Sequence, residues 1–351
     1  MASPTVAIVS FRLGGSDGVS IEAAKWGWAL GELGYEPVTV AGEGPVDCLL
    51  PGLAMDAPEP PTASELDAAL VDADLVLVEN LCSLPLNPAA WALVARRLAG
   101  RPALLHHHDL PWQRPQFAAF PPPPDDPAWV HVATSRFSAA ELAQRGVVAA
   151  AVHNAFDTGA GAGDRDGTRS ALGVAPGERL VLQPTRAIAR KNVARGLALA
   201  ASAGATYWLL GSAEDGFGPE LEATLALAAG AGTRILRGHG PRGPLPMADV
   251  YAACDAVVLP STWEGFGNPT IESAVHRRPL AVGRYPVAEE LAGYGFVWLG
   301  VDDPGPLAAA LARPDPGVLE HNRAVADRHF ALRDLPDRLA KVLASASWNR
   351  W

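Results

Sequence analysis

Short apolar runs alternate along the chain with longer segments in which apolar residues recur every three or four positions. Residues 5–10 form the first run, residues 19–33 form the first longer segment, and the alternation continues through both halves of the chain. Short runs of this kind are typical of buried strands, and the longer period is typical of amphipathic helices. Strands that alternate with helices predict an α/β fold with parallel sheets covered on both faces.

The bounds of these elements follow from the pattern. The first half has predicted strands at residues 5–10, 37–40, 75–78, 103–107, 129–133 and 149–152, with helices at 19–33, 63–71, 88–99 and 135–144. The second half has predicted strands at 180–183, 206–210, 234–236, 256–259, 280–283 and 296–298, and a final helical stretch at 316–346.

Residues 155–170 have no apolar period and are rich in Gly, Asp and Thr, so we interpret them as a linker. The predicted organisation is two Rossmann-like domains, residues 1–160 and 161–325, followed by a C-terminal helix at 326–351. Two α/β domains joined in this way are expected to hold their ligand in a cleft between them.

The 351 residues include 38 acidic and 28 basic side chains, which give a net charge of −10. This balance argues against a nucleic-acid binder that neutralises phosphates over a broad surface. Cys48, Cys82 and Cys254 are scattered, with no CxxC pair, and fit a reducing compartment. The start of the chain lacks signal-peptide features, and no apolar stretch of about 18 residues is present. We therefore expect a cytoplasmic protein without membrane association.

Two acidic residues, Glu264 and Glu272, flank a turn between a predicted strand and a predicted helix. Asn268 is predicted to cap the helix and Pro269 to occupy its first position. Three backbone amides would then lie at its electropositive end, those of Phe266, Gly267 and Asn268. The alternative is that neither acid binds a ligand. Glu272 would then only complement the helix dipole, and Glu264 would be a solvated loop residue. The position after a buried strand favours a ligand site.

A glycine-rich loop, FRLGGSDG, leads from the first strand into the first helix. Gly14 and Gly15 allow a tight turn and a close approach of backbone amides to a phosphate. The spacing is GGxxG and not GxGxxG, so a connecting turn without a ligand is the alternative.

Three adjacent histidines, His106, His107 and His108, end the fourth predicted strand and precede Asp109. Successive strand side chains point to opposite faces, so the three cannot ligate one metal together, and we expect no metal site. One histidine is expected to bind a substrate hydroxyl while another packs within the sheet. Downstream, Trp112 and Arg114 are candidates either for an acceptor pocket or for a surface anchor.

A basic loop, PTRAIARKN, follows the first strand of the second half. Arg186 and Lys191 lie at a strand end just before a helix, where two cations can clamp a diphosphate. A solvated loop is the alternative.

Along the chain the glycine loop comes first, followed by the histidines, the basic loop and the acidic pair. In this order the four features resemble those of glycosyltransferase family 4, the retaining nucleotide-sugar transferases with GT-B architecture. The matching residues are the glycine loop at Gly14 and Gly15, the His108-Asp109 pair, an Arg-x4-Lys motif (Arg186, Lys191) and a Glu-x7-Glu motif (Glu264, Glu272). The last is the most specific of them. The chain departs from the common basic motif in having Arg190 where an acidic residue precedes the lysine.

The resemblance implies a role for each of these residues. Arg186 and Lys191 would bind the donor diphosphate, Glu264 the sugar hydroxyls and Glu272 the ribose, while Gly15 would approach the diphosphate from the other domain. His108 would lie at the reacting centre, and its adjacency to Asp109 is the reason for choosing it over His106 and His107. The resemblance also implies that the final helix packs back on the first domain.

The expected reaction is transfer of a hexose from a UDP- or GDP-sugar to the hydroxyl of a soluble small molecule, without a cofactor or metal. The resemblance implies front-face attack, in which the leaving phosphate accepts the acceptor's proton. A sugar-nucleotide epimerase, a non-catalytic nucleotide-sugar sensor and a transferase acting on a membrane lipid are the alternatives.

Overall fold

The computed structural model describes residues 3–15, 17–241, 243–346 and 348. The chain forms two compact units, one made of Met1–Ala155 with Leu332–Trp351 and the other of Phe156–Ala331. Each unit is built on a parallel sheet. The two Rossmann-like domains predicted from the alternation of strands and helices are therefore present.

The first unit contains a seven-stranded sheet in the order β3-β2-β1-β4-β5-β6-β7. Its strands are β1 (Thr5–Arg12), β2 (Glu36–Glu43), β3 (Cys48–Leu49), β4 (Leu75–Glu79), β5 (Ala103–His107), β6 (Trp129–Ala133) and β7 (Ala149–Ala151). Its first helices are α1 (Gly18–Glu32), α2 (Ala63–Ala69), α3 (Pro88–Leu98) and α4 (Arg136–Ala143), with 3-10 turns at Pro51–Leu53, Pro111–Gln113 and Pro115–Phe117.

Both faces of this sheet are buried. Along β1, Ala7 and Val9 belong to one apolar cluster, whereas Val6 and Ile8 belong to another that includes Trp26 of α1. Because strand side chains alternate between faces, one apolar run supplies two cores. This is why the sequence shows continuous apolar runs and no polar alternation.

The second unit contains a six-stranded sheet in the order β10-β9-β8-β11-β12-β13. Its strands are β8 (Leu180–Gln183), β9 (Thr206–Leu209), β10 (Ile235–Arg237), β11 (Ala256–Leu259), β12 (Leu280–Val282) and β13 (Leu299–Gly300). Its helices are α5 (Arg165–Ala171), α6 (Val193–Ser202), α7 (Gly218–Gly230), α8 (Met247–Ala253), α9 (Pro269–Val275), α10 (Pro286–Ala292), α11 (Gly305–Ala312) and α12 (Pro316–Phe330), with a 3-10 turn at Ala189–Lys191.

The final helical stretch is two helices and not one. α12 ends at Phe330, and after a 3-10 turn at Leu332–Asp334 the chain forms α13 (Leu335–Ser345). Leu335, Leu339 and Val342 of α13 are buried in the same cluster of the first unit as Trp26. The last helix therefore packs back on the first domain, as the resemblance implies.

Three other predictions differ from the structure. The predicted linker at 155–170 contains α5, whose start is capped by Asp164 accepting from the Gly167 amide. The last strand lies at β13 and not at 296–298, where Phe296 stacks on Trp298 and packs against Phe330. The chain passes between units after Ala155 and after Ala331, whereas the predicted boundaries follow residues 160 and 325.

β3, a strand of only two apolar residues, was not predicted and forms an edge strand beside β2. Among the described residues, none of the helices has the length and apolar character needed to cross a bilayer.

Candidate functional site

The sheet order of the second unit brings the basic loop and the acidic turn together. β8 and β11 are adjacent and parallel, so the loops that follow them leave the same edge of the sheet. The Thr262 amide donates to the Arg190 carbonyl at 2.9 Å, which ties the two loops to each other. Arg190 and Thr262, 72 residues apart in sequence, therefore meet at the carboxyl ends of two neighbouring strands.

Lys191 and Glu264 form a buried ion pair at this junction. Lys191 Nζ lies 2.5 Å from both carboxylate oxygens of Glu264, and the two side chains are only 10% and 6% exposed. Burial alone would raise the pKa of Glu264, but the positive charges of Lys191 and Arg190 hold that pKa below its ordinary value. Glu264 is therefore a carboxylate at neutral pH.

The backbone around Lys191 is fixed by a buried amide and an unusual turn. The Gln183 side chain, at the end of β8, donates to the Lys191 carbonyl at 3.0 Å and accepts from the Tyr207 hydroxyl at 2.7 Å. Asn192 then adopts φ +50°, a left-handed conformation that asparagine tolerates well, and the chain turns directly into α6. This turn leaves the lysine side chain directed at Glu264.

The two arginines of the loop have different positions. Arg190 points toward the acid, with Nη1 2.7 Å from the Trp263 carbonyl and 3.0 Å from Glu264. The departure from the family motif thus adds a second cation to Glu264. Arg186 instead pairs with Glu214 at 2.6 Å, in an ion pair whose side chains are 41% and 39% exposed. The structure does not bring Arg186 into contact with Glu264.

Glu272 lies in the first turn of α9 and has a partner that the sequence did not indicate. The hydroxyl of Tyr251, a buried residue of α8, donates to Glu272 at 2.6 Å. The Tyr251 ring also stacks on His276 with centroids 4.9 Å apart. Burial raises the pKa of Tyr251 well above its ordinary value, so the hydroxyl keeps its proton and holds the carboxylate in place.

The turn between the two acids needs glycine at position 267. Gly267 has φ +92°, and a Cβ there would lie 2.5 Å from the buried Tyr285 hydroxyl. Phe266 packs inward beside Phe156 and Phe330. α9 begins at Pro269 as the sequence suggests, but Asn268 adopts helical dihedrals and its side chain makes no capping bond, so its predicted N-cap role is wrong.

The glycine-rich loop of the first unit exposes Gly14 and Gly15 before α1. Gly14 has φ +75°, and a Cβ there would lie 2.7 Å from the ring of Pro45. Asp17 caps α1, with Oδ1 accepting from the Ser20 amide at 3.2 Å, and its other oxygen lies 3.2 Å from Arg12. The loop therefore presents backbone beside a helix end that already has an anionic cap.

The three adjacent histidines divide between two faces of the sheet. His106 and His108 approach Glu79, at the end of β4, with distances of 3.0 and 2.7 Å to its Oε2 atom. His107 points the other way, where its ring nitrogens contact Ser83 Oγ at 2.5 Å and His131 at 2.9 Å. The alternation expected of strand residues is what separates His107 from the other two.

Glu79 was missed by the sequence analysis. It follows the last residue of the predicted strand directly, and that position at a strand end was the available signal. Within the described residues, Glu79, His106 and His108 bring three nitrogen or oxygen atoms within 4.8 Å of one another. Hydrogen bonds from the two imidazoles to the carboxylate account for these contacts.

The residues after His108 pack among themselves. Asp109 accepts from Arg114 at 2.7 Å, and both side chains are less than one-fifth exposed. Trp112 packs against the small cluster around Leu110, with the guanidinium of Arg145 3.8 Å above its ring. Both roles considered for Trp112 and Arg114, an acceptor pocket or a surface anchor, therefore remain predictions.

Comparison with known proteins places this arrangement in a class. Residues 192–313 match the family model of glycosyl transferases group 1. The chain is 24% identical to mannosylglucosylglycerate synthase of Thermotoga maritima, over 96% of this chain and 99% of that one.

Two solved structures share the fold along almost the whole chain. Anabaena Alr3699/HepE, solved with UDP-glucose, superposes with a TM-score of 0.75 at 18% identity, covering 97% of this chain and 99% of that one. Sucrose-phosphate synthase from Thermosynechococcus elongatus gives 0.74 at 16% identity, covering 97% and 98%. The chain thus has the GT-B fold. Its matches to the group 1 model and to mannosylglucosylglycerate synthase indicate a glycosyltransferase enzyme that is similar to those of family 4. None of these matches supports the epimerase alternative.

Proposed function

We propose that the protein transfers a hexose from a UDP- or GDP-linked sugar to a hydroxyl of a small-molecule acceptor, with retention at the anomeric carbon and without a metal ion. The observation that carries this proposal is the buried contact with Glu264 of Lys191 and Arg190, which lie on the same loop as Arg186. It combines cations for a diphosphate with a carboxylate for sugar hydroxyls at the carboxyl ends of adjacent strands, where open α/β sheets bind ligands.

The donor diphosphate is assigned to Lys191 and Arg186. Departure of a nucleoside diphosphate increases negative charge on the leaving phosphate, and fixed cations stabilise that charge. Arg186 is available for this role because its exposed pair with Glu214 contributes only about 0–1 kcal/mol. A doubly charged diphosphate competes well against a single exposed carboxylate.

The two acids are assigned to hydroxyl recognition. Glu264 is held ionised by its cations and accepts hydrogen bonds from hydroxyls of the transferred sugar. Glu272, oriented by Tyr251, accepts from the ribose. The amides of Phe266, Gly267 and Asn268 lie beside them in the same turn and are assigned to the sugar and phosphate. In the first unit, His108 is assigned to the reacting centre, and Gly14 and Gly15 to the approach of backbone to the diphosphate.

The acceptor is assigned to the class of small hydroxylated molecules. The relative from Thermotoga maritima is named for a product that contains glycerate, and it matches this chain over nearly its full length. In front-face transfer, the leaving phosphate takes the proton of the attacking hydroxyl, so the protein needs no separate nucleophile. Its groups then hold both substrates and stabilise charge.

A thermal-shift panel of nucleotide sugars tests the proposal. A donor present at about 100 times its dissociation constant adds about 2.7 kcal/mol to the folded state, which is readily detected as a rise in Tm. Lys191→Met is expected to abolish the rise, whereas Arg234→Met, which removes an exposed pair with Glu178 in the same unit, serves as the matched control. Absence of a shift with every UDP- and GDP-sugar would exclude the proposed donor.

A further inference from the structure

Glu79 is a fully buried carboxylate that the proposed donor site does not use. It ends β4, and its register partner on β5 is His106. Its Oε2 atom lies at hydrogen-bonding distance from two imidazole nitrogens, 3.0 Å from His106 Nδ1 and 2.7 Å from His108 Nε2. One carboxylate therefore holds two histidines that lie on the same face of the sheet.

The donors and acceptors in this group are determined by the charge of Glu79. Burial alone would raise the pKa of Glu79, but its interactions with His106 and His108 bring it to about 2. An ionised carboxylate only accepts hydrogen bonds, so the hydrogens must lie on His106 Nδ1 and on His108 Nε2. In neutral His108 the remaining nitrogen, Nδ1, carries a lone pair, and it makes no hydrogen bond within the described part of the chain.

The orientation of the two rings is fixed from several directions. The indole of Trp26 stacks on His106 with centroids 4.0 Å apart, and the two imidazole centroids are 4.3 Å apart. Asn80, which follows Glu79 and has φ +59°, accepts from the backbone amides of His108 and Asp109 at 3.1 and 3.3 Å. The loop that bears His108 is thus tied to the end of β4 by both backbone and side-chain contacts.

Titratable groups face His108 from β4, α1, β5 and the loop after β5. Glu79 on β4 and Asp109 in the following loop act with Glu22 of α1, which is itself paired with Lys25 at 2.5 Å, while His106 lies on β5. Burial lowers the pKa of His108, but the hydrogen bond and charge of Glu79, together with the charges of Glu22 and Asp109, outweigh that effect and the pKa is raised. Glu79 therefore affects both the protonation and the orientation of this ring.

We propose that Glu79 is a positioning residue that fixes His108 with Nε2–H bound to its carboxylate and Nδ1 directed to a substrate hydroxyl as a hydrogen-bond acceptor. The substrate role rests on the proposed function, whereas the tautomer does not. The ligand class is a polyhydroxylated molecule, either the transferred sugar or the acceptor. Its hydroxyl donates to Nδ1 while Nε2–H stays on Glu79.

The tautomer can be measured directly by NMR of protein labelled with 15N in the histidine rings. The ring nitrogen shifts distinguish Nε2–H from Nδ1–H, and His108→Ala and His106→Ala assign the two residues among the nine histidines. At alkaline pH we expect the Nε2–H form for His108 and the Nδ1–H form for His106. An Nδ1–H form of His108 in the wild type would overturn the proposal without any variant.

Glu79→Gln tests the cause. Both rings share the Oε2 atom of Glu79, and His106 Nδ1 also lies 3.2 Å from Oε1. The NH2 group of a glutamine would therefore face an imidazole N–H whichever way its amide is turned, and the negative charge would be lost. We expect His108 to change to a mixture of tautomers and to titrate at lower pH. The matched control is Ser83→Ala, which removes a partner of His107 on the opposite face and should leave the His108 signals unchanged. An unaltered His108 tautomer in Glu79→Gln would contradict the proposal.

Steady-state kinetics then tests the substrate role. Loss of one buried hydrogen bond to a substrate hydroxyl should lower kcat/KM by about 10-fold to 100-fold in Glu79→Gln, with the pH profile displaced to lower pH. An unchanged pH profile together with a changed tautomer would overturn the substrate role of His108. Failure of all nucleotide sugars to bind would instead exclude the proposed donor and leave the NMR result as the test of Glu79.

Discussion

Replacing Glu264 by glutamine removes the anion shared by a buried lysine, Lys191, and a partly buried arginine, Arg190. Lys191 Nζ and Arg190 Nη1 lie 2.5 and 3.0 Å from its carboxylate, and the three side chains are between 6% and 20% exposed. Glutamine has nearly the same shape, so the substitution isolates the charge. A buried charge left without its partner costs about 3–5 kcal/mol, and we expect Glu264→Gln to reduce the free energy of unfolding by that amount.

The cations of the same site should be less costly to remove. Lys191→Met leaves Arg190 beside Glu264, and Arg190→Met leaves Lys191 there, so each variant keeps one counter-charge and should cost about 1–2 kcal/mol. Arg186→Met is the matched control from the same loop. Its pair with Glu214 is about two-fifths exposed, and its loss should cost about 0–1 kcal/mol.

Urea unfolding in the absence of nucleotide sugar measures these differences. With a slope of about 1–3 kcal/mol per molar urea, Glu264→Gln should lower the midpoint by about 1 M or more. The control should remain close to the wild type. Equal midpoints for Glu264→Gln and Arg186→Met would refute the assignment of Glu264 as the buried counter-ion of the site.

Three further predictions concern neighbouring residues. Tyr251→Phe removes the 2.6 Å hydrogen bond to Glu272 and should raise the donor KM about 5-fold with little change in kcat; a selective fall in kcat would contradict the orienting role. Gly267→Ala places a Cβ 2.5 Å from the Tyr285 hydroxyl at positive φ and should cost about 2 kcal/mol or more in thermal unfolding, less when combined with Tyr285→Phe. Glu79 has a pKa of about 2 against an ordinary 4.5, and at 1.36 kcal/mol per pH unit this difference corresponds to about 3 kcal/mol of folding stability. Because the pKa is lowered in the folded protein, this stability is present above pH 4.5 and is lost as the pH falls toward 2. The free energy of unfolding in urea should therefore differ less between wild type and Glu79→Gln as the pH falls below 4.5. A difference that stays constant with pH would exclude Glu79 as the source of this pH-dependent stability.

The sequence by itself determined the class of fold. Buried parallel strands must be apolar on both faces, and the helices between them must be amphipathic, so periodicity is sufficient to locate most of β1 to β12. The errors fall where local pattern and tertiary packing differ. Residues 296–298 have strand-like composition but serve an aromatic cluster with Phe330, and α5 begins from an Asp164 cap within a stretch rich in glycine.

The sequence also indicated the basic loop and the acidic turn, whose residues Lys191 and Glu264 approach each other. Lys191 and Glu264 both follow strands, and the carboxyl ends of parallel strands lie at one edge of a sheet. Only the strand order, with β8 beside β11, decided that their side chains touch while Arg186 pairs with Glu214. Charge and spacing along the chain carry no information about that order.

The partners of the predicted residues were decided by the tertiary structure. Glu79 lies 27 and 29 positions before the histidines that it holds, and Tyr251 lies 21 positions before Glu272. Alternation along β5 required the histidines to divide between two faces, but which face carries a carboxylate depends on β4 being the neighbouring strand. A linear pattern determines periodicity and strand ends, whereas contacts between strand ends depend on the pairing of the whole sheet.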